Sequence, residues 1–192
     1  QVGVLDVLDL QLARYGTALR EERAYVVAFF DRIFAPRYEA VSLLGRRISV
    51  QYRPSWKPEE DYEAVLARLA AARERELAMG SSMSGPHRDR YIFVDEHGDF
   101  SPRASTGQLR LLALTLRIAQ AEHYSAMSGR EPVLLLDDVL LELDPDKRRR
   151  FMENLPKGEQ SFFTFLPGEP YGDYRAADTL VYWTDHGRFA HT

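Results

Sequence analysis

Residues 131–145 have the sequence EPVLLLDDVLLELDP, in which a short apolar run leads into acidic residues. The run from Val133 to Leu136 is typical of a strand that is buried on both faces in the centre of a parallel sheet. Asp137 and Asp138 follow at its carboxyl end, where open α/β sheets bind their ligands. In P-loop NTPases an aspartate at this place helps to hold the magnesium ion of a nucleotide. The segment therefore predicts a Walker B-type site; the simpler interpretation is a core strand ended by a capping acid.

A second motif, Ser105-Thr106-Gly107-Gln108, precedes a predicted amphipathic helix that extends to about Met127. Ser105 or Thr106 is suited to cap this helix, and Gly107 lets a ligand approach the backbone closely. A helix N-terminus presents free N–H groups and partial positive charge, so it attracts phosphate. Taken alone, the motif indicates an ordinary capped helix. Together with a strand that ends in two aspartates, it resembles the signature motif of ABC-type ATPases.

Within that superfamily, the chain resembles the RecF family of bacterial recombination proteins along nearly its whole length. The matching segments are VLDLQLARYGT at 7–17, GPHRDR at 85–90, STGQ at 105–108, VLLLDDVLLELD at 133–144 and VYWTDHGRF at 181–189. The interval from Ser105 to Asp137, 32 residues, is longer than in transporter ATPases and similar to that of RecF and its SMC-like relatives. Two places depart from the family pattern. Arg90 replaces a second aspartate, and FLPGEP after Thr164 replaces small polar residues.

The resemblance implies an α/β fold, the C-terminal part of an ABC-type P-loop ATPase head with the signature-helix lobe and the Walker B strands of the core sheet. Residues 1–84 would form a helical arm in the second lobe. Residues 85–192 would contain the signature helix, the Walker B strand and the C-terminal strands. A Walker A loop needs a lysine followed by serine or threonine, whereas the three lysines of this chain precede proline, arginine and glycine. We therefore expect the P-loop half to lie in a preceding segment or in another chain.

The resemblance also implies roles for particular residues. Asp137 would hold the Mg²⁺ of bound ATP, and Asp138 would be the catalytic residue that orients the attacking water. The signature residues 105–108 would bind ATP held by the partner subunit, through the Ser105 hydroxyl and backbone N–H groups. Asp144 would complete the nucleotide site at the subunit contact; its simpler role is to cap the helix that follows.

The function implied by the resemblance is that of an ATP-dependent DNA-binding clamp for recombinational repair of single-strand gaps, with links to replication and the SOS response. Such a protein would form an ATP-dependent homodimer, bind single-strand/double-strand junctions and help mediator proteins to load a recombinase. It would be cytoplasmic and nucleoid-associated. The full-length protein would be a weak, DNA-stimulated ATPase, whereas this chain alone would be inactive.

Two other interpretations stay open. The first is a non-hydrolysing, structural SMC-like head, because Asp138 stands where ABC ATPases often carry glutamate and a shorter carboxylate suits slow turnover. The second is a transporter ATPase subunit, which is disfavoured by the long interval and by the lack of a histidine after the predicted strand Ser161–Phe165.

Composition limits these possibilities further. The chain has 192 residues, is 45% hydrophobic and carries a net charge of −4, which gives no global attraction to nucleic acid. It has no cysteine, and its five histidines lack metal-ligand spacing, so a zinc site is not expected. No apolar run approaches the length of a membrane span. The basic run 147–150 is either a solvated face or a phosphate contact, and GPHRDR is either a turn held by an Asp–Arg pair or a functional segment.

The remaining patterns predict the elements between these motifs. They indicate helices at 4–35 (interrupted near Gly16 and ended by Pro36), 57–79 and 146–155, strands at 47–53, 161–166 and 179–184, and hairpin turns at 97–99 and 185–187.

Overall fold

The computed structural model describes residues 2–138, 143–156 and 158–191. Residues 139–142 of the predicted Walker B segment therefore lie outside the described part of the chain.

The structure divides into two compact units between Arg130 and Glu131. The elements of the first unit are α1 (Val2–Ser42), β1 (Ser49–Arg53), α2 (Tyr62–Met79), β2 (Arg90–Asp95), β3 (Gly98–Asp99) and α3 (Thr106–Ser128), with short 3₁₀ turns at Pro86–Arg88 and Ser101–Arg103. Those of the second are β4 (Val133–Leu136), α4 (Pro145–Glu153), β5 (Gln160–Phe163), β6 (Tyr182–Asp185) and β7 (Arg188–His191), with a 3₁₀ turn at Tyr171–Tyr174.

The division into units does not follow the expected boundary between residues 84 and 85. Both sides of that position lie in the first unit, because α3 packs against α1. His123 of α3 contacts Phe29 and Phe30 of α1, at ring-centroid distances of 4.8 and 5.3 Å. The predicted signature helix therefore shares a core with the helical arm, and the strand with the acid pair lies in the second unit.

The first helix is longer than predicted, and it is neither interrupted at Gly16 nor ended by Pro36. Gly16 stays helical and provides room for a close contact: a Cβ there would stand 2.4 Å from Cζ3 of Trp56. Proline inside a helix costs about 3 kcal/mol. The helix continues past Pro36 because the residues around it, Phe34, Ala35 and Tyr38, are all fully buried. Tertiary packing overrides the local signal.

An antiparallel sheet of order β1–β2–β3 packs on α1. The Phe34 and Phe93 rings lie 5.2 Å apart, and the Val50 N–H donates to Asp31 Oδ1 at 2.7 Å. The predicted hairpin is confirmed, since β2 pairs with β3 in the register Val94↔Asp99, but its turn lies at residues 96–97 because Gly98 and Asp99 belong to β3. These contacts, made by Asp31 and Phe34, fix the sheet to the C-terminal third of the long helix.

In the second unit, β4 and β5 are both predicted strands, and they form a parallel pair. The prediction that β4 is buried on both faces is wrong for this structure, in which Val133 is 53% and Leu135 is 75% exposed. Their side chains point away from Leu134 and Leu136, which are half-buried. Among the residues described, β4 has β5 as its one strand neighbour, and the face that carries Val133 and Leu135 is exposed.

The other predicted elements form with shifted ends. The second helix starts at Tyr62 rather than at residue 57, because Asp61 caps it by accepting the Ala64 N–H at 2.9 Å. The final hairpin at 185–187 is confirmed by the pairing Asp185↔Arg188. In the part of the chain that the structure describes, no helix combines the length and apolar character of a membrane span.

Candidate functional site

Two exposed carboxylates follow β4 and share one hydroxyl group. Oγ1 of Thr164 donates to Asp137 Oδ1 at 2.7 Å, and it lies 3.4 Å from Asp138 Oδ1. The same oxygen accepts the backbone N–H of Asp138 at 3.0 Å. The two predicted acids thus lie together at the carboxyl end of β4, and a threonine just after the neighbouring strand β5 orients them.

Thr164 is the site residue that the sequence did not reveal. It stands one residue beyond β5, and its own N–H donates to Leu136 O at 3.1 Å, which continues the parallel ladder. Since parallel strands end at the same edge of a sheet, a threonine after β5 falls beside acids after β4. The signal was a hydroxyl residue within the predicted strand 161–166, but only the register of β4 and β5 shows that it lies beside the two acids.

The backbone at Asp138 is also specialised. Its φ of 50° lies in the left-handed region, which aspartate and asparagine enter more readily than most other residues. This conformation turns the chain sharply after Asp137 while the Asp138 N–H stays bonded to Thr164. The tight turn keeps both carboxylates beside one hydroxyl.

These groups fit a magnesium ion. Mg²⁺ prefers oxygen ligands and is commonly held by one or two carboxylates together with nucleotide phosphates and water. Asp137 and Asp138 are exposed and offer carboxylate oxygens on one side of the turn. Within the described residues, no cluster of three or more metal-binding side chains exists, so the remaining ligands of such an ion would come from phosphate and water.

Asp144 caps α4, as the simpler interpretation of this residue predicted. Its Oδ1 accepts the Lys147 N–H at 3.0 Å, and its Oδ2 pairs with Lys147 Nζ at 2.5 Å. The hydrogen bond from the Lys147 side chain holds the pKa of the Asp144 carboxyl below its ordinary value. The carboxyl is half-exposed, so the cap leaves part of it accessible to another molecule.

The predicted signature motif begins α3 with a complete capping box. Ser105 is the N-cap: its Oγ accepts the Gln108 N–H at 3.3 Å, and its own N–H donates to Gln108 Oε1 at 2.8 Å. The N–H groups of Thr106 and Gly107 have no intrahelical acceptor, because the first turn of a helix lacks preceding carbonyls. A Cβ at Gly107 would meet nothing within 4 Å. The start of α3 is thus an open surface with free donors.

The GPHRDR segment, residues 85–90, is held by a buried carboxylate. Asp89 Oδ2 pairs with Arg23 of α1 at 2.6 Å and accepts the Tyr52 O–H at 2.5 Å, while Oδ1 accepts the Ser55 N–H at 2.8 Å. The side chain of Asp89 is only 4% exposed. An Asp–Arg pair does hold this turn, but the arginine comes from a distant helix rather than from Arg88.

The basic run 147–150 forms ion pairs with nearby acids. Besides the pair of Lys147 with its helix cap, Arg149 pairs with Asp146 at 3.0 Å, and Arg148 approaches Glu169 at 4.0 Å. Glu169 belongs to FLPGEP, where its Oε2 also accepts the Leu166 N–H at 2.9 Å. Much of the charge that this run would offer to phosphate is therefore compensated locally.

The fold and the order of the two motifs define the second lobe and Walker B region of an ABC-type ATPase head. The chain has a TM-score of 0.75 with the solved structure of the recombination mediator protein RecF-ATP in the RecFOR pathway; the match covers 99% of this chain and 50% of that chain, at 21% identity. The predicted α/β fold class is confirmed by this likeness.

Curated relatives define the family more narrowly. The chain is 46% identical over 187 residues to the DNA replication and repair protein RecF of Treponema pallidum (strain Nichols), covering 97% of this chain and 53% of the relative. It is 36% identical over 168 residues to RecF of Streptomyces avermitilis, covering 85% and 45%. No protein-family model matches the chain. The chain belongs to the RecF family, as predicted, and spans about half the length of the curated relatives that it matches.

Proposed function

We propose that this chain supplies the signature helix and the Walker B acids of an ATP-dependent protein of DNA replication, recombination and repair. The observation that carries the proposal is the shared hydrogen bonding of Asp137 and Asp138 to Thr164 at the end of a parallel strand pair. Acids at this place in an α/β sheet are suited to a nucleotide's magnesium ion. The likeness to a RecF structure solved with ATP supports the same ligand.

Each acid has a separate role in this proposal. Asp137 would hold Mg²⁺, which neutralises charge on the transferred phosphate when it is bound. Asp138 would orient the attacking water and accept its proton, as a carboxylate base within hydrogen-bond reach can do. Thr164 would keep both carboxylates directed to one side, because a single hydroxyl bonds to the first acid and to the backbone of the second.

The signature residues would act on ATP held by another subunit. The exposed start of α3 offers free N–H groups of Thr106 and Gly107 to a phosphate, and the open space at Gly107 allows a close approach. Ser105 would help through its O–H proton, which the capping box does not consume because Oγ acts there as an acceptor. The P-loop required by such a site would come from a preceding segment or from another chain. These features support an ATP-dependent homodimer.

The names of the relatives support the proposed biological role. They are described as DNA replication and repair proteins and as a recombination mediator in the RecFOR pathway. For this chain we propose binding of DNA at single-strand gaps, cooperation with mediator proteins in loading a recombinase, and a cytoplasmic, nucleoid-associated location.

A non-hydrolysing structural head is the second candidate. Asp138 favours it, because its Oδ1 lies 3.4 Å from a hydroxyl that also binds its own backbone N–H. A short carboxylate held in this way reaches less far toward a water molecule than a glutamate would. Turnover of the full-length protein with and without DNA separates the two candidates.

The decisive experiment compares Asp137→Asn with Asp138→Asn in the full-length protein. We expect Asp137→Asn to weaken Mg-ATP binding, and Asp138→Asn to leave binding intact while turnover falls by about a hundredfold to ten-thousandfold. Asp146→Asn is the matched control, since Asp146 is an exposed acid in the same unit that pairs with Arg149. Normal turnover in Asp138→Asn would disprove the assigned base. Undetectable turnover in the unsubstituted protein, with normal ATP binding, would favour the structural candidate.

A further inference from the structure

Two arginines lie opposite each other at one end of the antiparallel sheet. Arg53 is the last residue of β1 and Arg90 is the first residue of β2, and the register makes them direct cross-strand partners. Both side chains are exposed. Like charges directly opposite each other destabilise an antiparallel pair. The positive charge of these two arginines therefore does not stabilise the sheet.

No carboxylate in the described part of the chain lies within ion-pair distance of either Arg53 or Arg90. The acid next to them, Asp89, is buried and already engaged by other donors. The opposite end of the same sheet, about 13 Å away at the usual rise per residue, differs. There the buried carboxylate of Asp95 pairs with two arginines. The positive charge is uncompensated at one end only.

The backbone that carries this arginine pair is firmly held. Asp89 precedes Arg90, and its carboxylate accepts hydrogen bonds from Tyr52 and Ser55, the residues that flank the other arginine within two positions. The same carboxylate pairs with Arg23 of α1. The buried carboxylate of Asp89 therefore links the adjacent ends of β1 and β2 to α1. Such preorganisation lowers the entropy that is lost when a ligand binds.

The surroundings of the pair indicate the kind of ligand. Side chains alternate along a strand, so Arg53 and Arg90 share a face with Gln51 and Ile92, whereas exposed Tyr91 lies on the other face. Guanidinium groups bind phosphate in a bidentate manner. Binding of single strands also relies on aromatic side chains for base stacking, and among these four residues there is none. The arrangement suits phosphates of a duplex better than unpaired bases.

We propose that Arg53 and Arg90 form a contact surface for the phosphate backbone of double-stranded DNA. This inference rests on the proposed function in DNA repair and adds the surface that would touch the duplex. The protein is acidic overall, with a net charge of −4, so DNA binding requires a local positive surface of this kind. The contact would be independent of sequence, because it involves phosphates and no base edges.

The test measures binding of the full-length protein to a duplex oligonucleotide over a range of salt concentrations. The variants are Arg53→Gln/Arg90→Gln and, as control, Arg75→Gln, which removes an exposed arginine of α2. We expect the double variant to lower the salt slope of log K by about 1.8 and the affinity at 0.1 M salt on the order of fiftyfold, from about 0.9 per phosphate contact. The control should keep the slope of the unsubstituted protein. The melting temperature of the double variant should not fall, since like-charge repulsion is relieved.

Three results would overturn the inference. Unchanged affinity and slope in the double variant would reject this surface while DNA binding by the protein still stands. Absence of duplex binding by the unsubstituted protein at low salt would reject both the surface and the proposed role on DNA. A loss of affinity accompanied by a clear drop in melting temperature would show that the arginines maintain the fold instead.

Discussion

Replacing Thr164 by valine should disturb the site without disturbing the fold. Valine has nearly the shape of threonine but cannot form the hydrogen bonds to Asp137 and to the N–H of Asp138, which have lengths of 2.7 and 3.0 Å. Each net hydrogen bond contributes about 1 kcal/mol. If that energy serves to orient the two acids for reaction, its loss of about 2 kcal/mol corresponds to roughly a thirtyfold fall in turnover.

The assay is steady-state ATP hydrolysis by the full-length protein, with Mg²⁺ titrated at saturating ATP. Thr164→Val should turn over more slowly and require more Mg²⁺, because the carboxylates are no longer held to one side. Thr164→Ser keeps the hydroxyl and is the matched control, so it should recover most of the activity. Full activity and an unchanged Mg²⁺ requirement in Thr164→Val would refute the reasoning. Equal losses in the valine and serine variants would refute it as well.

Three further predictions concern stability and assembly. Asp89→Ala should lower the free energy of unfolding by about 3 kcal/mol, measured by urea denaturation, because it leaves a partly buried arginine and other donors unpaired. Asp61→Ala, which removes an exposed helix cap, should lower the free energy of unfolding by about 1 kcal/mol. Equal effects of the two substitutions would contradict a stabilising role for the buried carboxylate of Asp89. Burial, assisted by the bond to Asp89, raises the pKa of Tyr52 from 10.0 to about 12, and burial raises that of Tyr38 to about 12. As the pH rises, the unfolded chain loses these tyrosine protons before the folded chain does. The free energy of unfolding should therefore be unchanged below pH 10 and should fall between pH 10 and 12, and it should fall less steeply in Tyr52→Phe. Asp144→Ala should lower the free energy of unfolding by about 1 kcal/mol and weaken ATP-dependent dimerisation in sedimentation; normal dimerisation would leave capping as its only role.

Local chemistry in the sequence predicted the elements that carry the motifs. The capped start of α3 at Ser105, the Asp144–Pro145 start of α4 and the strand before Asp137 all depend on residues within a few positions of one another. Caps and short apolar runs act through neighbouring backbone groups, so one sequence is enough to locate them.

The features that escaped prediction depend on residues far apart in the chain. Thr164 meets Asp137 across 27 positions, and Arg23 meets Asp89 across 66. The continuation of α1 past Pro36 likewise reflects burial of its neighbours against the sheet. Such contacts arise from packing and strand register, which local propensity does not encode.

In the proposed function, ATP is bound between the signature helix of one subunit and the P-loop of another. Sedimentation velocity of the full-length protein with Mg-ATP tests it through Ser105→Arg, which places a bulky side chain at the exposed start of α3. We expect the unsubstituted protein to form dimers with ATP, and the variant to stay monomeric while it binds nucleotide with normal affinity. ATP-driven dimers of Ser105→Arg would contradict the account, as would loss of nucleotide binding by the folded monomer.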